Sequence, residues 1–161
     1  MVVDTESAGR RISAYVYGNI LVLAALVPLV TTPEYLGIAI VAGTSLSTFI
    51  AHVFGEAVAQ SVRTGRELGR AGRIAELRDS LPIFSAAALP CAILALAWIG
   101  WLEPRTAQIL AEITVLARIC SIVWVVRRIQ GRPPTPGTTV AAIGLGVVAL
   151  LVVAVKVVLT H

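Results

Sequence analysis

Thr44, Thr48, His52 and Glu56 recur at every fourth residue. On an α-helix each step of four overshoots a full circle by about 40°, so the four side chains form one slowly winding stripe. Two hydroxyls, an imidazole that titrates near neutral pH and a carboxylate can pass a proton or a small cation along that stripe. The surrounding segment is apolar, and an ionisable group there is costly unless it faces protein, water or a passing ion. Packing is the competing explanation, because Ser and Thr in membrane helices often bond their own backbone or a neighbouring helix. Thr44 and Thr48 alone fit packing. His52 with Glu56 at i, i+4 points to a proton or ion path.

A second polar edge is Thr114, Arg118 and Ser121, spaced i, i+4, i+7. Arg118 lies about two and a half turns from the Arg127–Arg128 pair, too deep for its guanidinium to snorkel to the interface. It is expected to point inward at a carboxylate, and Glu56 is the expected partner. The preceding segment runs the other way, which puts Asn19 near the depth of His52 and Tyr15 near that of Glu56. Gln108 and Glu112 make a third polar edge toward the opposite end, where Lys156 is within reach of Glu112. The expected path is thus Lys156, Glu112, Thr44, Thr48, His52 and Glu56, with Arg118 beside it and Tyr15, Asn19 and Ser121 in support.

Other chemistries find less support. Cys91 and Cys120 lie inside apolar segments with no CxxC pair, which argues against a thiol redox enzyme or a zinc site. His52 and Glu56 would give two metal ligands from one helix, but no Glu-x-x-His motif is present to complete a di-metal bundle. No nucleophile and base stand with a third supporting group. The expectation is therefore a protein without cofactor or metal and not an enzyme.

These residues are carried by apolar segments. The chain has 161 residues, 57% hydrophobic and 14% charged, with a mean hydropathy of +0.88. A soluble domain carries roughly a quarter charged residues. Residues 12–30, 35–60, 82–102, 106–126 and 138–159 each approach or exceed the ~20 residues needed to cross about 30 Å of hydrocarbon. Irregular backbone is not viable against lipid. The expected fold is an all-α integral membrane protein of five transmembrane helices in one domain, with a basic loop at 61–81. The first segment, too long for a signal-peptide core and followed by no small-x-small site, is expected to be retained.

Net charge is +4, but the arginines sit between apolar segments, which speaks for topology rather than nucleic acid. Ten of them fall on one side: Arg10 and Arg11, then Arg63, Arg66, Arg70, Arg73 and Arg78, then Arg127, Arg128 and Arg132. Arg105 stands alone on the other. The positive-inside rule then puts the N-terminus in the cytoplasm and the C-terminus outside, and the Ala-, Val-, Leu- and Arg-rich composition points to a bacterial inner membrane. Tyr15, Tyr17, Tyr35, Trp98, Trp101 and Trp124 fall near segment ends, as interfacial anchors do.

Arg63, Arg66, Arg70 and Arg73, at steps of three and four, are expected on one face of a helix continuing from the second segment, in contact with lipid headgroups. Gly65, Gly69 and Gly72 weaken that helix. Ile74 and Leu77 would rest on the membrane surface. Small residues at Ala88 and Ala92, and at Thr138, Ala142 and Gly146, suit close helix packing within or between copies. A homo-oligomer is expected. Movement of a proton or small ion is the leading function; an accessory subunit bound to a partner membrane protein is the alternative.

Overall fold

The computed structural model describes residues 5–65 and 69–122, with the isolated positions 140, 144, 147 and 151. The expected segment 138–159, with Lys156, and the loop before it fall largely or wholly outside the described residues, as do Arg66 and Trp124. The described residues are helical, without a strand. Three helical stretches are long and apolar enough to cross a membrane: Ser7–Leu29, Glu34–Thr64 and Arg70–Trp98.

The first helix, α1, spans Thr5–Leu26 and stops where Pro28 approaches. A proline disfavours α geometry in the residue before it; the chain tightens into a 3₁₀ turn, Val27–Thr31, and leaves it extended at Thr32. Pro33 then sets the entry to α2, Glu34–Thr64, whose first residue places a carboxylate at the positive end of the helix dipole. At 31 residues, α2 is about 46 Å long and outruns the hydrocarbon. It ends at Gly65, left-handed at φ 64°, whose N–H donates to the Ser61 carbonyl at 2.8 Å.

That left-handed cap corrects one expectation. The chain breaks after Thr64 and a separate helix, α3, covers Arg70–Ser80. Arg63 thus belongs to a different helix from Arg70 and Arg73, and the four arginines do not share one continuous helical face. Glycine adopts the left-handed conformation at no steric cost, which makes it the common helix terminator. Ile74 and Leu77 of α3 are both exposed.

Leu81 links α3 directly to α4, Pro82–Trp98. The charges Arg70, Arg73, Glu76, Arg78 and Asp79 all fall on α3, so α4 is the apolar part of the third stretch. Its C-terminus is a Schellman motif: Gly100, at φ 80°, donates to the Ala97 carbonyl and Trp101 to that of Leu96, both at 2.9 Å. The last described helix, α5, is Pro104–Cys120, 17 residues long. Glu103 caps it, accepting from the Thr106 N–H at 2.7 Å, with Pro104 at the first helical position.

α4 is the central post, packed on α1, α2 and α5. Val22, Leu23 and Leu26 of α1, Val41 of α2, Ala86, Ala87 and Leu94 of α4 and Ala111, Val115 and Ile119 of α5 form the core. Small residues bring the backbones together. A Cβ added to Gly18 would lie 2.9 Å from the Ile83 Cα, so only glycine permits this crossing of α1 and α4. The buried face of α4 carries Ala86, Ala87, Pro90 and Ala97, whereas Ala88 and Ala92 are exposed. The outer surface is studded with Tyr35, Ile40, Ile50, Phe54, Trp98, Trp101 and Ile113, an apolar girdle suited to lipid.

Candidate functional site

The α2 stripe divides in two. Thr48 is buried and Thr44 partly so, while the neighbouring Ser45 hydroxyl donates to the Ile83 carbonyl at 3.2 Å, tying α2 to the start of α4. One and two turns further, His52 and Glu56 come to the flank of the bundle, each half-buried. There the His52 ring faces Tyr17 of α1, centroids 6.4 Å apart and planes 31° apart. Tyr17, Ala51, His52, Gly55 and Glu56 line a recess of about 220 Å³. Glu56 pairs with Arg63, two turns on in the same helix, at 3.7 Å. Both are solvent-accessible, and such pairs contribute at most about 1 kcal/mol.

Arg118 does not take Glu56. Its Nε donates to Asn19 Oδ1 at 3.0 Å and its Nη2 to Ser85 Oγ at 2.9 Å. The guanidinium lies over the Tyr15 ring, 5.0 Å from the centroid, and the Tyr15 hydroxyl donates to the Arg118 carbonyl at 3.1 Å. Asn19 is held in turn by donating to the Tyr15 carbonyl at 2.7 Å. The reason is azimuth: α5 packs on α1 and α4, so the inward face of Arg118 meets their side chains. A guanidinium can be satisfied by neutral acceptors and an aromatic face without a carboxylate. Tyr15 and Asn19, expected beside Glu56 and His52, serve Arg118 instead.

Four further polar residues of α5 and its C-cap are Gln108, Glu112, Thr114 and Ser121. Gln108 Nε2 donates to the Leu26 carbonyl at 3.1 Å, satisfying an acceptor orphaned at the end of α1, and lies 3.4 Å from Glu112 Oε1. Glu112 is buried. Thr114 and Ser121 bond backward to the Ala111 and Arg118 carbonyls, each at 2.8 Å. Their hydroxyls are thereby spent within their own helix. Polar residues of α5 thus meet α1 and α4 through Gln108 and Arg118, while His52 of the α2 stripe meets Tyr17 of α1.

One cluster was not anticipated. Asp79, at the end of α3, is 3% exposed and accepts from five donor contacts. The Ser7 hydroxyl reaches both oxygens at 2.9 Å, Arg10 reaches Oδ2 at 3.0 and 3.1 Å, and Arg11 Nε reaches Oδ1 at 2.7 Å. Burial alone would raise the Asp79 pKa, but hydrogen bonds from Arg11, Ser7 and Arg10 outweigh it and hold the carboxyl below its ordinary value. Glu76, one turn earlier, meets Arg10 only at 3.7 Å. Its Oε1 is buried with no hydrogen-bond partner, and burial pushes its pKa up, opposed mainly by Arg10. The available signal was the i, i+3 spacing of Glu76 and Asp79 on a helix opposite Arg10–Arg11.

Among the described residues no three His, Cys, Asp or Glu side chains are grouped to hold a metal ion. Arg63, Arg70 and Arg73 are exposed at the same end as this cluster. No family model, curated protein or solved structure matches this chain.

Proposed function

We propose that the protein is a five-span inner-membrane protein, N-terminus in the cytoplasm, that moves a proton or small ion at the flank of α2 within a homo-oligomer. In this reading α5 and the segment 138–159 are the fourth and fifth spans. The observation that carries it is the recess at His52: an imidazole and a carboxylate, half-exposed on a helix apolar enough to cross a membrane. Each charged group facing hydrocarbon at mid-depth costs about 3 kcal/mol on insertion scales. A second copy laid over the flank would remove that cost by enclosing the recess as a wet crevice. A proton arriving past Thr44 and Thr48 is taken by His52 and handed to Glu56, one turn closer to the basic end. Arg63 draws Glu56 outward to water, and Arg63, Arg70 and Arg73 seat this end on anionic headgroups.

The alternative, an accessory subunit whose recess is covered by a partner membrane protein, draws on α5, where Arg118 and Gln108 act as staples. Flux separates the two. Purified protein in liposomes under a pH gradient should acidify the lumen. His52→Ala should abolish that flux without unfolding the protein, and His52→Gln should show how much depends on titration. Absence of flux in the native protein, or unchanged flux in both variants, would transfer the weight to the accessory reading.

A further inference from the structure

A cavity of about 610 Å³ lies between the basic-end half of α2 and α3, apart from the His52 recess. Phe49, Val53, Phe54 and Ala57 of α2 and Leu77 of α3 supply apolar walls, and Glu76 is among the lining residues. That volume is within the range of pockets that hold drug-sized molecules, typically apolar with a few placed polar groups. Phe54 is 70% exposed, so the cavity is open to the outside along its α2 wall.

Glu76 sets the chemistry. Its side chain is 5% exposed, and a buried carboxylate ordinarily has its oxygens satisfied. Here Oε1 has no partner, and Oε2 lies 3.7 Å from Arg10 Nε, beyond hydrogen-bond range, while Arg10 is committed to Asp79. Arg73, also on the lining, is exposed and engaged in an interaction of its own. An under-compensated carboxylate on an apolar groove is complementary to one positive charge on an apolar body.

We propose that this groove binds lipophilic cations, an aromatic or hydrocarbon body bearing one amine or onium charge, with the body against the α2 wall and the charge on Glu76. This goes beyond ion movement at His52 and does not depend on it. The charged groups around Glu76 are Arg10 from α1, His52 and Glu56 from α2, and Asp79 and Arg73 from α3. Burial favours the protonated carboxyl, so cation binding displaces a proton and tightens as pH rises.

Tetraphenylphosphonium and tetraphenylborate, nearly identical in shape and opposite in charge, test this by equilibrium dialysis against the full chain in detergent. Tetraphenylphosphonium should bind saturably, and Glu76→Gln should weaken it at least tenfold and remove most of its pH dependence. Val53→Trp, which fills the groove without touching the carboxylate, should also abolish binding while thermal unfolding shows the protein folded. Equal binding of the borate, or phosphonium affinity unchanged in Glu76→Gln or Val53→Trp, would overturn the proposal.

Discussion

Asp79 and Glu76 are one turn apart on α3 and respond to acid in opposite senses. Asp79 is held below the ordinary value of about 3.9. Its contribution is complete above that value and is lost as pH falls through its lower folded pKa. Glu76 is raised, so its ionised form opposes the fold and its contribution shrinks as pH rises through that higher value. Melting temperature against pH in detergent should therefore fall on the acid side in the native protein, and Asp79→Asn should flatten that limb. Glu76→Gln should raise stability at neutral pH and leave the acid limb in place. Asp79→Ala, which removes the acceptor shared by Ser7, Arg10 and Arg11, should cost about 1–3 kcal/mol. Arg118 offers a second test. Arg118→Met leaves the buried Asn19 oxygen without its donor, a loss of about 1–3 kcal/mol, and should couple to Asn19→Leu. Combined with Glu56→Gln it should be additive within about 0.5 kcal/mol, because the two side chains do not meet.

Between elements, the close crossing of α1 and α4 at Gly18 is the sharpest constraint. A methyl there would press on the Ile83 backbone, and Gly18→Ala should destabilise by about 1–2 kcal/mol, overpacking outweighing the gain in helix propensity. Gly43→Ala, where an added Cβ meets nothing within 4 Å, should instead stabilise by up to about 1 kcal/mol; thermal unfolding of the pair measures the contrast. The helices α1, α2, α4 and α5 were legible from the length of the apolar runs. Their rotation was not. α4 is apolar all round, and such a helix gives no hint of which face turns inward; Ala86 and Ala87 pack within the bundle while Ala88 and Ala92 face outward. Depth along antiparallel helices put Arg118 and Glu56 at one level, yet height says nothing of azimuth, and Asn19, Tyr15 and Ser85 held the facing positions. The break at Gly65 was visible as a weakness in the sequence, but a left-handed cap and a merely weakened helix look alike there.

For the whole molecule, the asymmetry of arginines predicts one orientation. In a background lacking Cys91 and Cys120, cysteines replacing Thr32 and Pro104 should react with an impermeant thiol reagent applied to intact cells, and one replacing Gly69 should not. Reaction at Gly69 would reverse the orientation. The knot of Ser7, Arg10 and Arg11 on Asp79 adds a consequence in time. Arg10 and Asp79 are 69 residues apart in the chain, and at about 5–20 residues per second of synthesis the two arginines wait several seconds before their acceptor exists. Until then α1 and α2 form a hairpin without its latch. The bundle closes only when α3 emerges on the same side as the N-terminus, so the knot acts as a checkpoint: a chain that threads its third stretch backwards carries Asp79 away from its arginines and is left without the latch.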